Sequence, residues 1–184
     1  MSTPEPALNR PLQGAGRRPG WRFLFAHPAH FIALGAGTGL SRIAPGTVAT
    51  LFAWLTYSSW AANLDNLARA SVLAGVLLLC WWDGTVTARH LAQADPSAIV
   101  CDEIVSFWLV LWLLTPASFT AQAVAFVLFR VLDAAKPGPV AWADQRFKGR
   151  RAAPIGWAQG WGILFDDLVA ALCTLLIIAV WRAW

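Results

Sequence analysis

Five apolar runs dominate this chain: approximately Val48–Ala62, Leu67–Trp82, Ile99–Leu114, Phe119–Leu132 and Ile163–Trp181. Runs this dense leave too little polar side-chain surface to cover a soluble fold. Only 13% of the residues are charged, where a soluble domain carries about 25%. Twelve tryptophans point the same way, because Trp concentrates at membrane interfaces. The sequence therefore predicts an all-α integral membrane helical bundle with about four to five membrane-embedded helices. A soluble helical domain with a greasy core is the disfavoured alternative. Only the last run reaches the ~20 residues of a full span. The others, roughly 15 residues each, are expected to be short spans extended by flanking residues, or partly re-entrant segments.

Residues 1–20 are rich in Pro, Gly and Arg without periodicity, which predicts a disordered basic tail. Residues 21–184 are then a single membrane-embedded domain. No secretory signal pattern precedes the first run. If all five runs span, residues 1–47, 83–98 and 133–162 share one face. That face collects Arg10, Arg17, Arg18, Arg22, Arg42, Arg89, Lys136, Arg146, Lys148, Arg150 and Arg151, with Arg130 at its boundary. Only Arg69 and Arg182 remain for the other side. By the positive-inside rule the crowded face is cytoplasmic. The expected location is thus a bacterial cytoplasmic (inner) membrane, multi-pass, with a membrane and its anionic lipids as partners and no nucleic acid.

Two acidic pairs stand near the starts of apolar runs, Asp102-Glu103 and Asp166-Asp167. A carboxylate costs about 2.5–3.5 kcal/mol at the centre of a membrane helix and less toward its ends. Adjacent anions also repel, so each pair requires a counter-charge. A divalent cation meets that requirement compactly, since hard cations prefer oxygen ligands. Both pairs fall at the cytoplasmic ends of their helices, beside the basic loops.

Two more pieces join them on that face. Residues 35–47, Gly-Ala-Gly-Thr-Gly-Leu-Ser-Arg-Ile-Ala-Pro-Gly-Thr, precede the first run. Small residues there permit close backbone approach, and N–H groups at a helix start attract phosphate. A flexible connector is the plainer reading of that segment alone, because neither a Walker lysine nor a dinucleotide fingerprint is present. The second piece is Phe129-Arg130-Val131-Leu132-Asp133-Ala134-Ala135-Lys136-Pro137. Arg130 and Asp133 fall on neighbouring helical faces, and Pro137 limits the helix. Arg and Lys beside carboxylates form either a structural ion-pair network or the phosphate clamp of a metal-assisted site. The whole set fits phosphate-ester hydrolysis. Mg²⁺ on the carboxylates would polarise the phosphoryl group and activate water. Arg130, Lys136 and Arg42 would offset oxygen charge, and a spare carboxylate would act as general base.

Other candidates carry less. Cys80, Cys101 and Cys173 have no metal-ligand spacing and read as packing. His27 and His30 have no carboxylate partner nearby in sequence, so metal ligation there is not expected. Asp83-Gly84-Thr85-Val86-Thr87-Ala88-Arg89 looks like the opening of a CDP-alcohol phosphotransferase motif but has one residue too many and lacks the later aspartates. Asp83 and Arg89 are therefore expected to solvate a loop.

In order along the chain, Arg42-Ile43-Ala44-Pro45-Gly46-Thr47, Asp95-Pro96 with Ile99-Val100-Cys101-Asp102-Glu103, Phe129 to Pro137, and Gly160-Trp161-Gly162-Ile163-Leu164-Phe165-Asp166-Asp167 resemble the phosphatidylglycerophosphatase A family of bacterial membrane lipid phosphatases. The resemblance runs from about Leu34 to about Leu172. It implies Mg²⁺-dependent removal of the terminal phosphate of phosphatidylglycerophosphate, giving phosphatidylglycerol. It also implies Asp102, Glu103, Asp166 and Asp167 as metal ligands or catalytic carboxylates. Arg130, Asp133 and Lys136 would complete the site, and Arg42, Gly46, Thr47, Arg130 and Lys136 would bind phosphate. Ser106, Gln159 and Ala171 stand where the family usually has glycine. The competing reading is a small cation or proton transporter that relays ions over intramembrane carboxylates. That reading requires ionisable groups at several depths, whereas here they cluster at one face.

Overall fold

The computed structural model describes residues 18–148 and 155–184, and all the regular structure within them is helical. The expected tail lies outside the described residues up to position 17, as do Arg150 and Arg151. Two short helices, α1 (Trp21–Leu24) and α2 (Pro28–Ala33), lead into a 3-10 stretch over Gly35–Leu40. The longer helices follow: α3 (Pro45–Ala61), α4 (Asn66–Leu91), α5 (Cys101–Leu114), α6 (Phe119–Ala135), α7 (Pro139–Lys148) and α8 (Trp157–Ala183).

Local chemistry sets the helix ends. Pro45 opens α3 at a position whose N–H would be orphaned in any case. The Asp65 carboxylate caps α4 by accepting from Ala68 N at 2.7 Å, and the Ser118 hydroxyl caps α6 by accepting from Ala121 N at 3.2 Å. Gln159 caps α8 from inside, its Oε1 accepting from Gly156 N at 2.9 Å. One of the positions where glycine was expected thus has a task of its own.

Helices α5 and α8 form the central pair. Phe107, Val110, Ala170 and Ile178 belong to a core on the α3 and α6 side. Cys101, Val105, Ile163 and Leu164 belong to a second core on the α2 and α4 side. Their outward faces stay apolar too: Leu55, Leu78, Val127 and Leu176 are all more than half exposed. Among the described residues two helices, α4 and α8, are long and apolar enough to cross a membrane.

The structure corrects the sequence reading at the end of the second run. The run stops at Trp82 in sequence, but α4 continues to Leu91, so residues 83–91 are helix and not loop. Asp83 does not solvate a loop. It is fully buried and accepts from Cys101 Sγ at 3.2 Å. Thr85 returns its hydroxyl to Trp81 O at 2.6 Å, which lets a polar side chain sit inside a helix. Arg89 donates from Nε to Ile155 O at 2.8 Å and lies 5.6 Å from the centroid of the Trp157 ring. The segment read as a basic loop between Asp133 and Gly162 contains α7, whose Val140 and Ala143 are fully buried.

Pairwise proximity in sequence also concealed a histidine chain. His30 is buried on α2 and bonds through Nδ1 to Phe23 O at 2.8 Å. Its Nε2 meets His90 Nδ1 at 2.7 Å. The Phe23 carbonyl can only accept, so His30 Nδ1 carries the proton and His90 Nδ1 donates to His30 Nε2. Burial pushes the His30 imidazole down to about 4, partly opposed by the Phe23 bond, with His90 and His27 adding to the depression. These contacts clamp α2 to α4 and are structural.

Candidate active site

A cavity of about 260 Å³ lies at the end of the bundle where α3 and α5 begin and α6 finishes. Asp95, Asp102, Glu103, Asp133, Asp166 and Asp167 line it, together with Arg130 and Lys136. Among the described residues, six acidic groups stand against two basic ones on its walls.

Three helices and the α4–α5 connector deliver these groups. Asp102 and Glu103 occupy the first turn of α5, where the positive end of the helix dipole favours carboxylates. Val100 N donates to Ala33 O at 2.8 Å and fixes the approach of that turn to α2. Consecutive residues on a helix diverge by about 100°, so the second pair splits. Asp167 joins the α5 carboxylates, while Asp166 Oδ2 accepts from Lys136 Nζ at 2.6 Å.

The last turns of α6 bring the cations. Arg130 Nη1 donates to Asp133 Oδ2 at 2.6 Å, lies 3.9 Å from Glu103 Oε1 and 3.5 Å from Thr50 Oγ1. The Thr50 hydroxyl itself donates to Gly46 O at 2.8 Å, so α3 takes part in seating the guanidinium. Lys136 closes α6 in a left-handed conformation with φ 45°, and its ammonium bridges Asp144 on α7 and Asp166 on α8.

Gly46 explains how α3 comes so close. A Cβ at that position would fall on Glu103 Oε1 and within 2.9 Å of Arg130 Nη2. The absent side chain therefore makes the room in which the carboxylate and guanidinium sit. Gly46 lines the cavity, but Thr47 and Arg42 do not. Arg42 borders an adjoining cavity instead. Thr50, Asp95 and Asp144 were not singled out as site residues in the sequence. Asp95 was visible only as part of the Asp95-Pro96 element.

One cluster has the chemistry of a cation site. Asp102, Glu103 and Asp167 each offer a carboxylate oxygen, and these oxygens lie within 4.8 Å of one another. Asp102 Oδ1, Glu103 Oε2 and Asp167 Oδ2 are buried without hydrogen-bond partners. Buried anionic oxygens without donors are strongly unfavourable unless a cation meets them. An all-oxygen donor set of this kind suits Mg²⁺.

The family model described as phosphatidylglycerophosphatase A matches residues 31–182. A protein of Escherichia coli (strain K12) named phosphatidylglycerophosphatase A is 33% identical over 159 residues, covering 82% of this chain and 81% of its own length. The protein of that name from Haemophilus influenzae is 28% identical over 162 residues, covering 86% of this chain and 91% of its own. A Bacteroides thetaiotaomicron protein, provisionally named phosphatidylinositol-3-phosphatase, is 32% identical over 157 residues, covering 82% and 91%. No solved structure matches the chain.

Proposed function

The chain belongs to the phosphatidylglycerophosphatase A family, and on that premise we propose that it hydrolyses the terminal phosphomonoester of phosphatidylglycerophosphate. The products are phosphatidylglycerol and inorganic phosphate. The observation that carries the reading is the cavity itself: a three-carboxylate cluster with a guanidinium and an ammonium on its rim.

Asp102, Glu103 and Asp167 hold Mg²⁺ in this proposal, with Asp166 at the edge of that set. Bound there, the ion supplies neutralising charge, polarises the phosphoryl oxygens and lowers the pKa of water. The chain's own residues do the rest. Arg130, held by Asp133 and Thr50, presents its remaining N–H groups to the non-bridging oxygens. Lys136, fixed between Asp144 and Asp166, adds a second positive charge. Asp133, which lines the cavity beside Arg130, takes a proton from the attacking water in this proposal.

The substrate is a lipid, and the protein is placed in a bacterial cytoplasmic membrane as a multi-pass bundle of four to five embedded helices. Apolar residues on the outer faces of α3, α4, α6 and α8 support that placement, as do the two span-length helices. The positive-inside bias of the basic residues supports a cavity on the cytoplasmic side. The transport reading finds no support among the relatives.

The test is phosphate release from phosphatidylglycerophosphate by the detergent-purified protein, with Mg²⁺ or with EDTA, beside Asp167→Asn. The expected result is Mg²⁺-dependent release that the substitution abolishes while the helical circular dichroism stays intact. Absence of release by folded wild-type protein with any divalent metal would overturn the reading.

A further inference from the structure

A second cavity, about 230 Å³ in volume, adjoins the first and has the opposite chemistry. Arg18 and Arg42 line it with the neutral polar residues Ser41, Gln93 and Ser97, and among the described residues its wall contains no acidic one. It shares Pro45, Pro96 and Ser97 with the carboxylate-lined cavity. Arg18 Nη1 donates to Arg42 O at 3.3 Å, tying the chain ahead of α1 to the segment that enters α3. Among the described residues no acidic side chain pairs with either arginine.

The contrast assigns different ligands. The first cavity takes a phosphate only with a cation's help, because its carboxylates outnumber its basic groups. The second attracts an anion directly: two guanidinium groups without acidic partners among the described residues, beside neutral donors, are a phosphate-recognition chemistry. Two anion-accepting cavities divided by a wall of three residues fit a ligand with two phosphates a short distance apart.

We propose that the Arg18–Arg42 cavity is a second anion subsite that holds the phosphodiester of the lipid whose terminal phosphomonoester enters the carboxylate-lined cavity. This rests on the proposed phosphatase reading and deepens it. The head group is then selected by the pair of cavities: a phosphodiester and a phosphomonoester joined by a short polyol such as glycerol. A phosphomonoester without the diester forfeits the second subsite.

The product lipid separates the two subsites experimentally. Phosphatidylglycerol keeps the diester and lacks the monoester, whereas inorganic phosphate resembles only the leaving group. The kinetics of wild type, Arg42→Ala and Arg42→Lys are compared in mixed micelles at fixed lipid mole fraction, with each of these products as inhibitor. In Arg42→Ala, KM for phosphatidylglycerophosphate and Ki for phosphatidylglycerol are expected to rise together by about tenfold, the scale of one charge-assisted contact. Ki for inorganic phosphate stays within about twofold, because a charge across the shared wall acts on it only weakly. Arg42→Lys recovers part of the loss, and Arg18→Ala shows the same pattern. Equal changes in both inhibition constants, or no change in either, would overturn the subsite while leaving the phosphatase reading intact. Inactive but folded wild-type protein sinks that underlying reading, and the subsite with it.

Discussion

The two adjoining cavities at the α3 end of the bundle are built from neighbouring stretches of chain yet carry opposite charge. Helix starts and turns supply both, and they share Pro45, Pro96 and Ser97. One gathers carboxylates from α5, α6 and α8, and the other gathers arginines from the segments before α1 and α3. The difference shows how one end of a helical bundle can hold two environments side by side. The carboxylates to which the proposed reading gives a metal are drawn from helices and packed inward. The arginines come from connectors and face outward: Asp102, Asp166 and Asp167 are buried while Arg18 and Arg42 are exposed.

The comparison breaks most sharply at the acidic cavity. Asp167→Asn removes a charge but keeps the shape, and activity is expected to fall by at least ~10³-fold. Glu103→Gln is expected to behave alike. Magnesium titration of residual activity in each variant checks whether the loss is in cation affinity; an unchanged Mg²⁺ requirement at full activity would remove both residues from the cluster. Gly46→Ala follows. Its methyl would displace Glu103 and Arg130 together, for an expected loss on the order of 10²-fold, since small misplacements at a reacting centre are that damaging. Gly46→Ala at wild-type kcat/KM, with a normal melting temperature, would show that the α3 approach is dispensable.

A smaller effect sharpens the role of the lysine. Asp144→Asn takes away one carboxylate from Lys136, while Asp166 stays on the ammonium. A kcat decrease of roughly threefold to tenfold is expected, smaller than the loss in Lys136→Met, because the charge itself survives. A steady-state comparison of the two variants decides this, and equal losses would assign Asp144 a larger task than positioning.

A last effect, on stability and not on rate, lies away from both cavities. His30 is held neutral in the fold at a value of about 4, below its ordinary 6.5. Because the folded value is depressed, its contribution to stability is complete above about pH 6.5 and is lost as the pH falls from there toward 4. That contribution amounts to no more than ~3 kcal/mol. Thermal melts across this window should show a steeper decline for wild type than for His30→Gln, and parallel curves would remove the histidine chain as their cause.

The residues that line the acidic cavity were more legible in the sequence than the helix boundaries. Asp102-Glu103 and Asp166-Asp167 stood out because paired charge in an apolar run demands an explanation. Arg130, Asp133 and Lys136 followed from helical spacing. What stayed hidden depended on long-range contacts. Asp144 is a lone acid in a basic stretch, and only the docking of α7 on α8 through Phe147 and Phe165, with ring centroids 5.4 Å apart, brings it to Lys136. His30 and His90 are separated by 60 positions and meet only through the packing of α2 on α4. Asp83 misled because a charged residue after an apolar run normally marks a helix end, whereas here a thiol on α5 receives it. The end of α4 was misplaced for the same reason.

Lys136 shows two demands falling on one position. Its backbone, at φ 45° beside Gly138 at φ 41°, is of the kind that favours glycine or asparagine. Its side chain must be a long cation, because Asp144 and Asp166 converge on the ammonium. A redesign that scores each residue by local conformational fit would replace this lysine and register an improvement, while dismantling the link between α6, α7 and α8. Protein engineers seeking a hardier version of this scaffold should therefore hold position 136 fixed and look for gains in the outer turns of α4 and α8.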